Sequence, residues 1–284
     1  MSNLAFISKL VETVVAKQLQ HYLNCNNLFL VFQSAYRQKH RTETALLKVM
    51  NDILLNMNNQ CVTLLILLDL SAAFDTVNHD TMRRGLEYSF GIQGKALSWF
   101  ASYLSARTQG IMINESPSKP FKLECGVPQG SCLGPLLFTL YTSELFEIIK
   151  YHLPMIHCYA DDSQVLISFS QNDGAELLPA VRNMEDCIRD IRSWMLNNDL
   201  KFNDDNTEFL IIGSSQQLEK LDNISIRVGD SDIHPVPLAR NLGCWFDSSL
   251  SMASQIKKTC ASAFYCILMF VGSESIFHGS QLRY

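Results

Sequence analysis

Apolar residues recur along the chain with two different spacings. Over residues 7–23 they return every three or four positions, which predicts an amphipathic helix, with Ser2 as a plausible cap. Residues 44–55 show the same helical spacing. Residues 62–68 instead form one continuous run, rich in leucine and β-branched residues, that stops at Asp69. Such a run is typical of a central strand that is buried on both faces.

The second half of the chain adds a predicted hairpin and further helices. Apolar residues between 155 and 169 flank the pair Asp161-Asp162, which we expect at the hairpin tip. The remaining pattern predicts helices over 78–90, 94–104, 136–149 and 177–195, and strands over 109–114, 121–125 and 209–212. Because tight hairpins argue against an all-parallel sheet, we predict an α+β fold with helices on one face of a mainly antiparallel sheet.

Composition narrows the class of protein. Of the 284 residues, 47% are hydrophobic and 18% are charged, which excludes a disordered chain. The 23 basic and 28 acidic residues give a net charge of −5, so global charge offers no argument for nucleic acid. Nine scattered cysteines without a C-x-x-C pair argue against disulfides and structural zinc. No apolar run is long enough for a membrane helix, and we expect an intracellular protein of the nucleus or cytoplasm.

Carboxylates stand where the predicted core strand and hairpin end. Asp69 follows the apolar run directly, and Asp161 and Asp162 lie in the sequence YADD. Carboxylates that converge on one point repel each other, and a divalent cation such as Mg²⁺ or Mn²⁺ relieves that repulsion. A pair of such ions supports phosphoryl transfer. Taken separately, each motif also has a plainer interpretation, because Asp69 can cap the next segment and Asp-Asp is common in turns.

A segment rich in glycine and proline lies between the two acidic motifs. It reads ECGVPQGSCLGPLLFTLY, has glycines at 126, 130 and 134, and opens a predicted helix. Glycines at a helix start let a ligand approach the backbone and its amides closely. A simple loop-to-helix junction would give the same composition. The spacing does not match the G-x-S-x-G pattern of a serine hydrolase.

Together and in this order, the three motifs resemble a known family. LLDLSAAFDTVNH, GVPQGSCLGPLLFTLY and YADDSQVL resemble the palm of a reverse transcriptase. The flanking segments FQSAYRQKHRTETALL, SWFASYLSARTQ, LKFNDDNTEFLIIG and LGCWFDSSLS resemble its non-LTR (LINE-type) retrotransposon branch. The resemblance implies a right-hand polymerase fold, whose palm is an antiparallel sheet with helices on one face. It further implies partial fingers in 1–60, a palm core in 61–250 and the start of a truncated thumb in 251–284.

The same resemblance implies the catalytic metal site. Asp69, Asp161 and Asp162 match the family's catalytic, metal-binding aspartates. Asp69 and Asp161 would hold two Mg²⁺ ions, with Mn²⁺ as the alternative, and Asp162 would lie nearer the primer end. The backbone carbonyl of Leu70 would be a further ligand.

Other residues match nucleotide and template positions of the family. Phe74 matches the aromatic residue that blocks a ribose 2′-hydroxyl, while Gln129 and Gly130 belong to the nucleotide-contacting PQG. Tyr159 matches a residue near the primer terminus, and Arg37 matches a fingers residue that meets the template. Each has a plainer interpretation. Phe74 and Tyr159 would be core aromatics, Gln129 a loop amide and Arg37 a solvated charge.

The resemblance therefore implies an RNA-directed DNA polymerase. Its partners would be an RNA template, a DNA primer and deoxynucleoside triphosphates. No association with a membrane is expected, and the sequence does not specify the oligomeric state. A second hypothesis is a catalytically inactive palm that binds nucleic acid or protein, because Asn206 stands where the family has a proton-donating lysine. A two-metal nuclease or cyclase would explain the carboxylates, but it would leave PQG and Phe74 without a purpose.

Overall fold

The computed structural model of the protein describes residues 6–37, 39–71, 74–113, 116–128, 130–152, 155–170, 176–203, 206–221 and 224–278. The helices are α1 (Phe6–Cys25), α2 (Thr42–Asn58), α3 (His79–Tyr88), α4 (Gly94–Leu104), α5 (Gly134–Tyr141), α6 (Ser143–His152), α7 (Leu177–Asn197), α8 (Ser215–Leu218) and α9 (Ala253–His278). The strands are β1 (Cys61–Leu68), β2 (Leu70–Ser71), β3 (Thr108–Gln109), β4 (Met112–Ile113), β5 (Ser116–Pro117), β6 (Phe121–Lys122), β7 (Met155–Tyr159), β8 (Asp162–Ser170), β9 (Lys201–Phe202), β10 (Glu208–Ile212), β11 (Ile226–Val228), β12 (Ser231–Ile233), β13 (Leu238–Asn241) and β14 (Cys244–Asp247).

The central element is an antiparallel sheet with the strand order β10-β1-β8-β7. Strand β1 lies inside this sheet, and its Leu65 stands opposite Leu166 of β8 and Leu210 of β10. The predicted central strand, the predicted hairpin and the antiparallel α+β fold are all confirmed. A buried inner strand fits the sequence because side chains along β1 are apolar on both sides of the pleat.

The two faces of the sheet carry separate hydrophobic cores, because successive strand residues point to opposite faces. Leu64 and Ile66 belong to the larger core, which includes residues of α1 and α3–α7. Leu65 belongs to the smaller core, together with Val49 of α2 and Phe246 of β14. Most helices thus share one face as predicted, but α2 covers the other. The physical reason is that β1 has apolar side chains on both faces of the sheet. Each face is stable only when other elements pack on it and shield those side chains from water.

Two local predictions differ in detail. The helix predicted over 136–149 is two helices, α5 and α6, separated at Thr142. The Thr142 hydroxyl donates to the carbonyl of Phe138 at 3.2 Å, a side-chain bond that competes with regular helix pairing. The strands predicted over 109–114 and 121–125 are reduced to the exposed two-residue pairs β3–β6 and β4–β5. Without a core to cover, this hairpin pairs only in short pieces.

Helix α1 buries only part of its apolar stripe. Leu19 and Leu23 are buried, but Ile7 and Leu10 near its start are 73% and 52% exposed. The predicted helix is therefore confirmed. The spacing of its apolar residues did not predict which turns of the helix pack against the core. The predicted cap, Ser2, lies outside the described residues.

Helix α9 is exposed along residues 256–270 and contacts strand β14. Its Lys258 ammonium lies 3.0 Å from the centre of the Trp245 ring, a cation–π contact. Across the described part of the chain, no helix combines the length and the apolar character needed to cross a membrane. The division into fingers, palm and thumb stays a prediction.

Candidate active site

The sheet brings the three predicted aspartates to one end. Leu68, the last residue of β1, pairs with Ser163 of β8. Asp69 directly follows Leu68 and Asp162 directly precedes Ser163, so these two aspartates are the next residues beyond that pair. Tyr159 of β7 pairs with Asp162, so Ala160 and Asp161 form a two-residue turn. The tip thus lies one residue earlier than the predicted Asp161-Asp162, because Asp162 is already paired as the first residue of β8. Residues opposite each other in an antiparallel pair have Cβ atoms about 4.5–5.5 Å apart. The register therefore indicates close approach of Asp69 to the hairpin, as expected from the sequence.

The electrostatics agree with this convergence. Burial raises the pKa of Asp161 above its ordinary value, and the charge of Asp69 adds to the rise. Burial, followed by the charges of Asp161 and Asp69, raises the pKa of Asp162 to about 6. Asp162 is exposed as a whole residue, so water moderates this effect. Negative charge that raises the pKa of Asp161 and Asp162 is charge that a bound divalent cation would neutralise.

Two asparagines hydrogen-bond the Asp69 carboxylate. The side-chain amides of Asn203 and Asn206 donate to Oδ2 of Asp69 at 2.8 and 3.0 Å. The backbone N–H of Asn203 also donates to the carbonyl of Asp69 at 3.1 Å. Next along the chain, the backbone of Leu70 pairs with Phe202 of β9. The position expected for a lysine thus contributes an amide that orients the first aspartate.

The Gly-rich segment packs on the residues that follow β2. The N–H of Val127 donates to the carbonyl of Phe74 at 2.7 Å, and the Phe74 ring lies 5.0 Å from that of Phe138 in α5. Gly126 has φ +88, and a Cβ there would lie 2.8 Å from the carbonyl oxygen of Asp75. These contacts fix Phe74, partly buried, between the Gly-rich segment and the larger core.

Two of the predicted nucleotide residues belong to the segment around the PQG motif. Gly130 is described, with a left-handed φ of +84, whereas Gln129 lies outside the described residues. Near the hairpin, Tyr159 is half-buried as the last residue of β7. Their nucleotide contacts remain predictions.

Arg37 has internal partners. Its Nη1 donates to the carbonyl oxygens of Leu30 at 3.2 Å and Gln33 at 3.5 Å, and its guanidinium lies 5.5 Å from the centre of the Phe29 ring. The guanidinium is thus built into the loop before α2, and its contact with a template remains a prediction. In the same loop, burial, followed by the charges of Asp161 and Tyr159, raises the pKa of the Tyr36 phenol.

Sequence reasoning missed Gln33, a buried residue of the same loop. Its carboxamide hydrogen-bonds the backbone N–H and carbonyl of Ala160, which lies between Tyr159 and Asp161 in the β7–β8 turn. Only the position of Gln33 in the resembling segment FQSAYR pointed to it. Within the residues that the structure describes, no group of three or more His, Cys, Asp or Glu side chains is arranged to chelate an ion.

An antiparallel sheet with aspartates in a hairpin and directly after the adjacent strand is the arrangement expected for the palm of a nucleic-acid polymerase. Sequence comparison specifies the family of polymerase. The sequence model of the family described as "Reverse transcriptase (RNA-dependent DNA polymerase)" matches residues 1–245. The chain belongs to the reverse transcriptase family.

Curated relatives confirm the resemblance to the non-LTR branch. The chain is 27% identical over 266 residues to the probable RNA-directed DNA polymerase from transposon BS of Drosophila melanogaster, covering 91% of this chain and 28% of that protein. It is 26% identical over 211 residues to the RNA-directed DNA polymerase from mobile element jockey of the same species, covering 71% and 22%. The chain thus spans about a quarter of the length of these relatives.

A solved structure confirms the fold. Apo telomerase from Candida tropicalis, truncated from its C-terminal domain, superposes with a TM-score of 0.57 at 14% identity. The match covers 86% of this chain and 44% of the telomerase chain. At this identity the likeness concerns the fold alone.

Proposed function

We propose that the chain is an RNA-directed DNA polymerase domain that adds deoxynucleotides to a primer 3′-hydroxyl. The observation that carries the proposal is the sheet register, which brings Asp69, the residue after β1, next to the start of β8, where Asp161 of the β7–β8 turn is followed by Asp162. Membership of the reverse transcriptase family supports it. An RNA template, a DNA primer and deoxynucleoside triphosphates are the proposed partners.

The donors at this end of the sheet are carboxylate oxygens and a backbone carbonyl, the ligand type that Mg²⁺ and Mn²⁺ prefer. The carboxylates of Asp161 and Asp162 are raised in pKa by burial and by neighbouring negative charge, which a bound cation would offset. We assign Asp69, Asp161 and the carbonyl of Leu70 to two Mg²⁺ or Mn²⁺ ions, with Asp162 nearer the primer. Such ions supply charge stabilisation to the attacking and leaving oxygens of phosphoryl transfer.

The chain's own residues position the reactants. Asn203 and Asn206 fix Oδ2 of Asp69, so its other carboxylate oxygen is the one oriented for ligation. Phe74 is braced by Val127 and Phe138, and a rigid ring there would exclude a ribose 2′-hydroxyl sterically. Most of the acceleration would come from orientation and preorganised charge, as in other phosphoryl transfers.

The test is primer extension by the purified 284-residue chain, with a DNA primer on an RNA template, deoxynucleotides and Mg²⁺. Asp161→Asn should reduce extension to background because it removes a carboxylate from the proposed metal set. Asp232→Asn, on the exposed strand β12, is the matched control and should extend like the wild type. Equal extension by Asp161→Asn and the wild type would refute the proposal.

One observation favours a second candidate, a catalytically inactive palm that binds nucleic acid or protein. Asn206 stands where the family has a lysine, and its amide is committed to Asp69 rather than able to release a proton. Binding of a labelled primer–template across a salt titration separates the candidates. Binding with a steep salt dependence but no extension would favour this second function over polymerisation.

A further inference from the structure

The turn that carries Asp161 has a backbone that its sequence does not favour. Ala160 occupies the first position of the two-residue turn with φ +59. Residues with a Cβ avoid this left-handed region, where hairpin turns usually have glycine or asparagine. Something outside the hairpin must therefore hold Ala160 in place, and the direction of the Asp161 side chain depends on it.

Gln33 supplies that restraint. Its Oε1 accepts the backbone N–H of Ala160 at 3.0 Å, and its Nε2 donates to the carbonyl of Ala160 at 3.2 Å. The same Oε1 accepts the N–H of Ala35 at 2.9 Å, so the carboxamide is fixed by its own loop. Gln33 is only 2% exposed, which protects these bonds from competition by water.

The loop around Gln33 is itself attached to the catalytic hairpin. The N–H of Cys158 donates to the carbonyl of Phe32, and the N–H of Ser34 donates to the carbonyl of Cys158, both at 2.9 Å. These bonds form a parallel bridge between Gln33 and β7. Arg37 donates to the carbonyl of Gln33 and so braces the loop from its far side.

We propose that Gln33 is a positioning residue that clamps Ala160 and thereby sets the orientation of Asp161 for catalysis. The inference rests on the proposed polymerase function. It predicts that Gln33 acts on turnover rather than on substrate binding, because the clamp touches the turn and not a substrate. Misplacing a reacting group by about 1 Å can cost on the order of 100-fold in rate.

The experiment replaces Gln33 by methionine, which has a similar shape but no hydrogen-bonding amide. Gln217→Met is the matched control, since Gln217 is also buried and its carboxamide also holds backbone groups, of Ser214 and Gln60. Gln60 precedes β1, so this control lies about 26 Å along the eight-residue strand from Asp69. Both variants are compared at a temperature where both are folded.

We expect Gln33→Met to lower kcat about 10- to 100-fold with little change in KM, and Gln217→Met to leave kcat unchanged. We also expect amide hydrogen exchange at Ala160 to become about tenfold faster in Gln33→Met alone. An unchanged kcat together with unchanged exchange at Ala160 would overturn the inference.

The experiment also covers a Gln33→Met variant that does not fold and a wild-type chain that is inactive. If Gln33→Met does not fold, Gln33→Glu takes its place, because it keeps both accepted bonds and replaces the donor to Ala160 by a carboxylate oxygen that repels the Ala160 carbonyl. A normal kcat and normal exchange in Gln33→Glu would then overturn the clamp. If the wild-type chain extends no primer, the polymerase proposal fails on its own. Exchange at Ala160 alone then supports or overturns the role of Gln33 in holding the turn.

Discussion

Gly126→Ala tests how closely the Gly-rich segment must pack beside the residues that follow β2. The substitution has two separable costs. A left-handed φ, here +88, costs a residue with a Cβ about 1–2 kcal/mol. The new Cβ would also lie 2.8 Å from the backbone oxygen of Asp75, which cannot move away as a side chain could. Overpacking of this kind costs about 1–3 kcal/mol, so the expected total is about 2–5 kcal/mol.

Gly243→Ala is the control that isolates the steric part. Gly243 has a nearly identical φ of +86, but a Cβ there would meet no atom within 4 Å. It should therefore lose only the conformational cost of about 1–2 kcal/mol. Urea unfolding of both variants measures the difference, which we expect to be about 1–3 kcal/mol.

The same pair of variants should differ in nucleotide use. Displacing Gly126 moves the neighbouring Val127, which holds the carbonyl of Phe74, so Gly126→Ala should raise KM for deoxynucleotides while Gly243→Ala should not. Equal losses of unfolding free energy in the two variants would refute the reasoning, because they would mean that the segment yields without cost beside Asp75.

Two other residues give independent predictions. Burial, followed by the nearby charge of Lys48, lowers the pKa of His157 despite its 2.9 Å contact with Asp52, so the unfolded chain binds this proton more readily. Stability should fall as pH drops below about 6.5, and urea unfolding of His157→Gln should show a shallower fall; identical slopes would contradict this. Asn206→Lys should restore a proton donor and raise single-turnover extension by at least about tenfold. Asn206→Gln, which offers only an amide, should not raise it, and an equal rise in both variants would argue against a role for the proton donor.

Much of the fold and part of the site could be predicted from local pattern. The apolar run of β1 predicted an inner strand, and the two apolar flanks of Asp161-Asp162 predicted the hairpin. Both signals are local, because a buried strand requires apolar side chains at consecutive or alternating positions. The side of the sheet on which α2 lies was not encoded in its own period, since an amphipathic helix fits either face of a strand that is apolar throughout.

By itself, the sequence determined that Asp69 follows a buried strand and that Asp161 and Asp162 belong to a hairpin, because periodicity and turn chemistry act between near neighbours. Only the tertiary structure decided what orients these carboxylates. Gln33 reaches Ala160 across 127 positions of the chain, and Asn206 reaches Asp69 across 137. Such partners are chosen by strand register and loop docking, which depend on the whole packed sheet rather than on neighbours in the sequence.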